Sequence, residues 1–497
     1  MSAPVVLLRH LAAAAEPFCR APAAGLGRPF GTGGLGRLFC AAAGRPADAA
    51  TPLARQLAAR LRAVGPMTVA EYMSEVLVHP LQGYYSARAD IGAHGDFVTA
   101  PEVAGMYGEM LGVWLVNEWQ KLGAPQPLQL VELGPGRGTL MSDILQVVDR
   151  LAGDVQLSVH LVEVSRPLAH VQASTLGVRM TSASDGLSDS GSGTASSRRD
   201  QSEPGGRAAS SSAGHSESGG RTSQSGDQSA PPEQMTLPSG DESDAETCDV
   251  LRGTTARGRD VLWHTRLQDV PEAFSLVVAN EFFDALPVHQ FRRTDAGWRE
   301  VLVDLAEDEP HRLRFVLARG RTPACLYIDE EAAAGRDELE VCPRAGLLTS
   351  HLAARLAQDG GAALICDYGH TGDRGDTLRA FRKHKCVEPL LAPGSADITC
   401  DVDFAALARA AGPEVLKFGP VSQRQFLAEM GLATRLERLL TSCPERADQL
   451  RAAYSMLTGD MGERFKMWAL LPATAAPILR WHPPAGFAAA AASGLIQ

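Results

Sequence analysis

Glu132 followed by glycines at 134, 136 and 138 is the spacing in this chain best suited to holding a small molecule. Residues 131–138 read VELGPGRG and come directly after the apolar run Leu128-Gln129-Leu130, and LMSDILQVVDRL follows at helical spacing. A buried strand therefore ends in a glycine-dense turn and a helix begins. Glycines lack Cβ atoms, so this turn can adopt positive φ and let a ligand approach the main chain closely. A dinucleotide fingerprint needs G-x-G-x-x-G, and its third glycine would fall at 139, where the chain has Thr139. A plain strand-to-helix connection without ligand has the same composition.

The E-x-G-x-G-x-G pattern, with Pro135 between the first two glycines, resembles the first motif of S-adenosylmethionine methyltransferases. Such a cofactor carries no pyrophosphate but has an amine and a sulfonium that an acid such as Glu132 could face. The next strand, QLSVHLVEV from Gln156 to Val164, contains Glu163 near its end, where a doubly wound sheet places the acid that accepts from both ribose hydroxyls. A solvated glutamate at a strand end is the competing explanation. Downstream, SLVVAN (275–280) runs into Glu281-Phe282-Phe283-Asp284, and GGAALICDY (360–368) delivers Asp367. Apolar runs of this kind suit parallel strands buried on both faces, whose carboxyl ends open into a cleft.

The segments GYYSARADIGAHGDFVTAPEV (83–103), VELGPGRG, NEFFDALPVHQF (280–291), DYGH (367–370), DITCDVDF (397–404) and MGERFK (461–466) together resemble the MidA family, and within it the mitochondrial arginine methyltransferase branch. The likeness covers roughly residues 65–180 and 260–470 in order. It implies an α/β, Rossmann-like seven-stranded S-adenosyl-L-methionine (SAM)-dependent fold with N-terminal and inserted elements over the cofactor. It further implies symmetric dimethylation of an arginine in the iron-sulfur protein 2 subunit of NADH dehydrogenase, early in complex I assembly. On that basis the cofactor residues are Glu132, Gly134, Pro135, Gly136, Gly138, Glu163 and Asn280.

Arginine's guanidinium stays protonated at physiological pH and is a poor nucleophile, so a transferase must desolvate and orient it and place carboxylates nearby. Glu281 and Asp284, three apart just past a strand end, are the catalytic candidates. The alternative is that Glu281 binds cofactor while Asp284 caps the next helix. Tyr84, Tyr85, Phe97, Thr99 and Glu102 could form a lid whose aromatic faces attract cations, or could pack in the core. Asp367 could line the acceptor pocket or satisfy a helix N-terminus. No histidine spacing fits a metal site.

With 497 residues and a formal charge of −11, the chain can bury a large core and offers no basic surface for nucleic acid. Nine cysteines without a C-x-x-C pair read as reduced buried thiols. Residues 1–48 spread Arg9, Arg20, Arg28, Arg37 and Arg45 among alanine, leucine and glycine, the composition of a mitochondrial transit peptide and hence of a matrix protein. The remaining divisions are an N-terminal helical or lid region (49–126), a first part of the SAM-binding domain (127–180), a disordered insertion (181–258), the rest of the domain with substrate-facing insertions (259–475) and a flexible tail (476–497). The insertion is rich in serine, glycine and acids and has no aromatic residue, so it cannot offset its ordering entropy. Residues 422–430 read as an amphipathic helix, and Met461 to Lys466 as part of a packed edge strand. Besides catalysis, a SAM-stabilised chaperone that holds a complex I subunit without methyl transfer is open. A dinucleotide oxidoreductase fits less well because of Thr139.

Overall fold

The computed structural model describes residues 51–87, 100–103, 105–181 and 251–487. Its centre is a ten-stranded sheet in which seven strands do the positioning: β1 (Leu128–Leu133), β2 (Leu157–Val162), β3 (Asp260–His264), β4 (Ser275–Asn280), β5 (Gly361–His370), β6 (Val415–Ser422) and β7 (Phe465–Pro472). Their spatial order is β3-β2-β1-β4-β5-β7-β6. The first five are mutually parallel, and β7 runs antiparallel to both of its neighbours. Three short strands exceed the expected seven. Arg252–Thr254 and Arg179–Met180 extend the β3 edge, and Val402–Asp403 pairs with the end of β5.

Alternation along the strands decides which layer each residue supports. Leu128 and Leu130 of β1 and Ala362, Leu364 and Cys366 of β5 face one core cluster; Val131, Leu133, Ala363 and Ile365 face the other. The helices α1 (Gly105–Lys121), α2 (Thr139–Leu151) and α3 (Arg166–Thr175) cover the first face, and α4 (Pro343–Asp359) covers the second. At Gly108 of α1 a Cβ would meet Asp143 Cβ at 2.6 Å, so this glycine is what lets α1 lie against α2. Helix α1 is buried along nearly its whole length, so the expected lid region 49–126 divides in two, and its second half is core.

The rest of that region joins the insertions. Helices Pro52–Val64 and Val69–Val78, the second opened by a Thr68/Glu71 capping box, pack with a five-stranded sheet built mainly from His289–Thr294, Gly297–Leu305 and Leu313–Leu317. A three-stranded sheet of Arg379–Arg382, Lys385–Val387 and Asp397–Thr399 shares their core through Ala380 and Ile398. These elements form a cap fed by the connections after β4 and β5.

Three sequence expectations are corrected. The segment read as a tail from 476 is held in place as far as Phe487, which is fully buried against Phe418 and Phe426. Trp114 Nε1 also donates to Ala485 O at 2.9 Å. One aromatic residue in an alanine-rich stretch is a weak signal in sequence, but packing amplifies it. The insertion expected over 181–258 is ordered sheet from 251, where Arg252–Thr254 and β3 form a hairpin around Gly258 at φ 76°; residues 182–250 lie outside the described residues. Met461–Lys466 is mostly the helix Asp460–Arg464, and the strand that follows it, β7, is interior to the sheet. The expected helix near 422–430 is present as Gln423–Glu429, with Ser422 capping it. Residues 1–48 lie outside the described residues.

Candidate functional site

A cavity of about 720 Å³ opens at the carboxyl ends of β1, β2 and β4, beneath the cap. The strand order reverses between β1 and β4, and open α/β sheets bind ligands at such a reversal. Glu132, Gly134, Pro135, Gly136, Glu163 and Asn280 line it from the sheet side.

The glycine turn adopts left-handed backbone at all three glycines, with φ of 63° at Gly134, 51° at Gly136 and 78° at Gly138. At Gly134 a Cβ would lie 2.6 Å from the Phe282 ring, whereas at Gly136 it would meet no atom within 4 Å. The first glycine therefore serves packing and the second leaves open space toward the cavity. Gly138 lies outside the lining; it precedes α2 against Gln172, so its part in cofactor contact is not carried by the geometry.

Glu132 is buried, its Oε2 has no partner, and burial pushes its carboxyl up to about 8. An orphaned carboxylate oxygen facing a cavity suits a cationic ligand group, which would restore its ionisation. Glu163 accepts from Ser165 N at 2.8 Å and from Gln172 Nε2 at 3.0 Å, and burial raises it to about 7. Gln172 was missed in the sequence. It donates to Gly136 O at 2.8 Å as well as to Glu163, and accepts from Trp263 Nε1 at 2.8 Å, so it ties the turn, the acid and β3 together. Its signal was a glutamine on the buried face of α3, among Leu168, Ala169 and Ala173.

Beyond the end of β4 a hydrogen-bonded chain runs Tyr107–Asn280–Glu281. Tyr107 of α1 donates to Asn280 Oδ1 at 2.7 Å, and Asn280 Nδ2 donates to Glu281 Oε1 at 3.1 Å. Ala100 N also donates to that oxygen, at 3.2 Å. Burial, then the Asp284 charge, raises Glu281 to about 8. Its backbone is left-handed at φ 50°, which costs a non-glycine residue roughly 1–3 kcal/mol and persists where surroundings enforce it. Asp367 supplies that enforcement. Its Oδ2 accepts from the backbone N–H groups of Phe282, Phe283 and Asp284 at 3.1, 2.9 and 3.3 Å. Asp367 is fully buried and does not line the cavity, so the first of its two expected roles is corrected and the second holds: it satisfies the N-terminal N–H groups of the short helical turn that presents Glu281 and Asp284.

Asp284 does not cap a following helix; its carboxylate accepts from the Tyr368 hydroxyl and lines the cavity, and burial raises it to about 6. Tyr84, Tyr85 and Glu102 also line it, while Phe97 and Thr99 lie outside the described residues. Tyr368 and Asp397 join them from segments the sequence had marked without assigning either residue a role. Among the described residues no cluster of His, Cys, Asp and Glu could hold a metal ion, and no helix is long and apolar enough to cross a membrane.

A family model described as "Putative S-adenosyl-L-methionine-dependent methyltransferase" matches residues 110–420. The mitochondrial protein arginine methyltransferase NDUFAF7 of Mus musculus is 42% identical over 429 residues, 85% of this chain and 85% of its own length. Its Homo sapiens counterpart is 40% identical, over 85% and 84% of the two chains, and the Drosophila melanogaster homolog 41%, over 88% of each. A superfamily member from Burkholderia thailandensis, crystallised with S-adenosyl-homocysteine, shares the fold at a TM-score of 0.57 and 24% identity, over 84% of this chain and 91% of its own.

Proposed function

The chain belongs to the MidA-like family of SAM-dependent methyltransferases, and we propose that it methylates an arginine of a protein acceptor in the mitochondrial matrix. SAM supplies an electrophilic methyl group on a sulfonium. Glu132 would hold its ammonium, Glu163 its ribose hydroxyls, and Gly134 to Gly136 the backbone cradle. The observation that carries the arginine reading is the pair Glu281 and Asp284, buried in the cavity with carboxyls raised to about 8 and about 6. A guanidinium entering beside them would meet acids that ionise in its field, and the pair would hold it in line and accept its proton as a nitrogen is alkylated.

The names of the mouse and human relatives support arginine as acceptor and the mitochondrion as compartment, and the arginine-spaced first 48 residues agree. The family resemblance extends the proposal to symmetric dimethylation of the iron-sulfur protein 2 subunit of NADH dehydrogenase, promoting early complex I assembly.

The test is transfer of labelled methyl groups from SAM to the recombinant subunit, with fragmentation mass spectrometry to locate the product and separate symmetric from asymmetric dimethylarginine. Glu281→Gln and Asp284→Asn should each lower kcat/KM by about 100-fold or more while calorimetric SAM affinity stays within a few-fold. Binding of both SAM and subunit with every arginine left unmodified would identify an assembly chaperone instead.

A further inference from the structure

Glu281 meets the cavity at the end of a hydrogen-bonded chain that begins in the core. The Cys366 thiol of β5 lies against the Tyr107 hydroxyl of α1, Tyr107 donates to Asn280 Oδ1 at 2.7 Å, and Asn280 Nδ2 donates to Glu281 Oε1 at 3.1 Å. The sheet sets this arrangement. Asn280 and Cys366 are register partners on β4 and β5, and Glu281 N donates to Cys366 O at 2.9 Å, so α1 has only to bring Tyr107 over the pair. Tyr107 is fully buried and does not line the cavity, and so cannot touch a ligand held there.

The donors and acceptors of the chain run in one direction. An ionised carboxylate only accepts, and a primary amide has one end that donates and one that accepts. Because Tyr107 donates to the accepting end of Asn280, the donating end is left to face Glu281. Burial holds the Tyr107 phenol well above its ordinary range, so it keeps its proton and remains a donor. Without that hydroxyl the amide is free to turn its oxygen toward Glu281, an arrangement that suits only the protonated acid. Asp284 of the same turn, Glu102 of Ala100–Val103, and Asp367 and Cys366 of β5 face Glu281 with acid or neutral groups. Its ionisation is favoured instead by two hydrogen bonds, from Asn280 Nδ2 and from Ala100 N. We propose that Tyr107 is a positioning residue: by fixing the orientation of the Asn280 amide it keeps a donor on Glu281 and holds that acid ready to ionise when the acceptor cation arrives. The proposal deepens the arginine reading above and rests on it for the identity of the cation.

The experiment labels the glutamate carboxyl carbons isotopically and follows Glu281 by NMR as pH is raised, in the full chain bound to S-adenosyl-homocysteine. Its signal is the one missing from Glu281→Gln. In Tyr107→Phe the midpoint of that titration should rise by about 0.5–1 pH unit, so that below it the ionised fraction falls about three- to tenfold at a given pH. A residue that merely packs would alter thermal unfolding and leave the midpoint in place, and that result overturns the proposal. If Tyr107→Phe does not fold, Asn280→Ala takes its place: it removes the amide and should raise the midpoint as well, and an unmoved midpoint there overturns the proposal too. The pH profile of KM for acetyl-Gly-Arg-Gly-amide separates this inference from the reading beneath it. It should move with the NMR midpoint. A midpoint that rises while the KM profile stays in place supports the chain and overturns Glu281 as the acid that meets the acceptor. An unmoved midpoint overturns the role of Tyr107 and leaves the arginine reading standing.

Discussion

At the scale of single residues, burial favours the protonated form of Glu132 and Glu281, both raised to about 8. Glu281 is raised to about 8, chiefly by burial, and its folded state therefore holds a proton that the unfolded chain has released. Fold stability contributed by this group is present below the ordinary carboxylate range and declines as pH rises from there through about 8. Cation binding has the opposite sign, because only the ionised form attracts a guanidinium. At saturating SAM, the KM for an arginine acceptor should fall as pH rises toward about 8, by as much as tenfold per pH unit below that value, and then level off. Glu281→Gln should flatten this profile; an unchanged slope in the variant would assign the proton elsewhere. Glu281 and Asp284 were legible in the sequence because they follow a buried apolar run. The Tyr107–Asn280–Glu281 chain was not, since α1 is far from β4 in sequence and only packing brings Tyr107 over Asn280.

At the scale of elements, the glycine turn shows two requirements that its sequence presents as one. Both have left-handed backbone, but at Gly134 Phe282, from the turn after β4, also occupies the place of a side chain, whereas at Gly136 that place is open. Gly134→Ala should therefore lower both stability, by about 1–3 kcal/mol in denaturant unfolding, and SAM affinity. Gly136→Ala, strained by its positive φ but with open space at its Cβ, should lower stability less than Gly134→Ala does while weakening calorimetric SAM binding. Equal stability losses in the two would mean that the turn is wholly structural. The acid at the end of β2 depends on a different element again, because Gln172 of α3 orients Glu163.

At the scale of the whole molecule, the catalytic sheet is interrupted after Met180 and resumes at Arg252, yet Arg179 pairs with Thr254, Met180 with Gly253, and Thr181 N donates to Arg252 O at 3.0 Å. The two ends of the interruption are thus adjacent, and a short turn can join them at little entropic cost. Replacing residues 182–250 with a short glycine-serine turn should leave thermal unfolding and SAM affinity unchanged. A marked loss of either would show that the segment serves the catalytic body. The cap, by contrast, cannot be removed without loss, because it lines the cavity with Tyr85 and Asp397 and its two small sheets share one core with the helices Pro52–Val64 and Val69–Val78.

Much of this protein is written locally. Runs such as SLVVAN and GGAALICDY are apolar enough to be buried parallel strands wherever they fold, and a glycine turn after such a strand carries its own backbone requirement. The α/β class, the glycine turn at the cavity and the two carboxylates proposed as catalytic follow from those local signals and from the family resemblance. Tertiary structure alone decided which of its two open roles Asp367 takes, that β7 lies inside the sheet, that Phe487 seals a core, and that Asp397 and Tyr85 reach the cavity. Each of these depends on contacts between residues far apart in the chain, and short-range periodicity contains no term for such contacts.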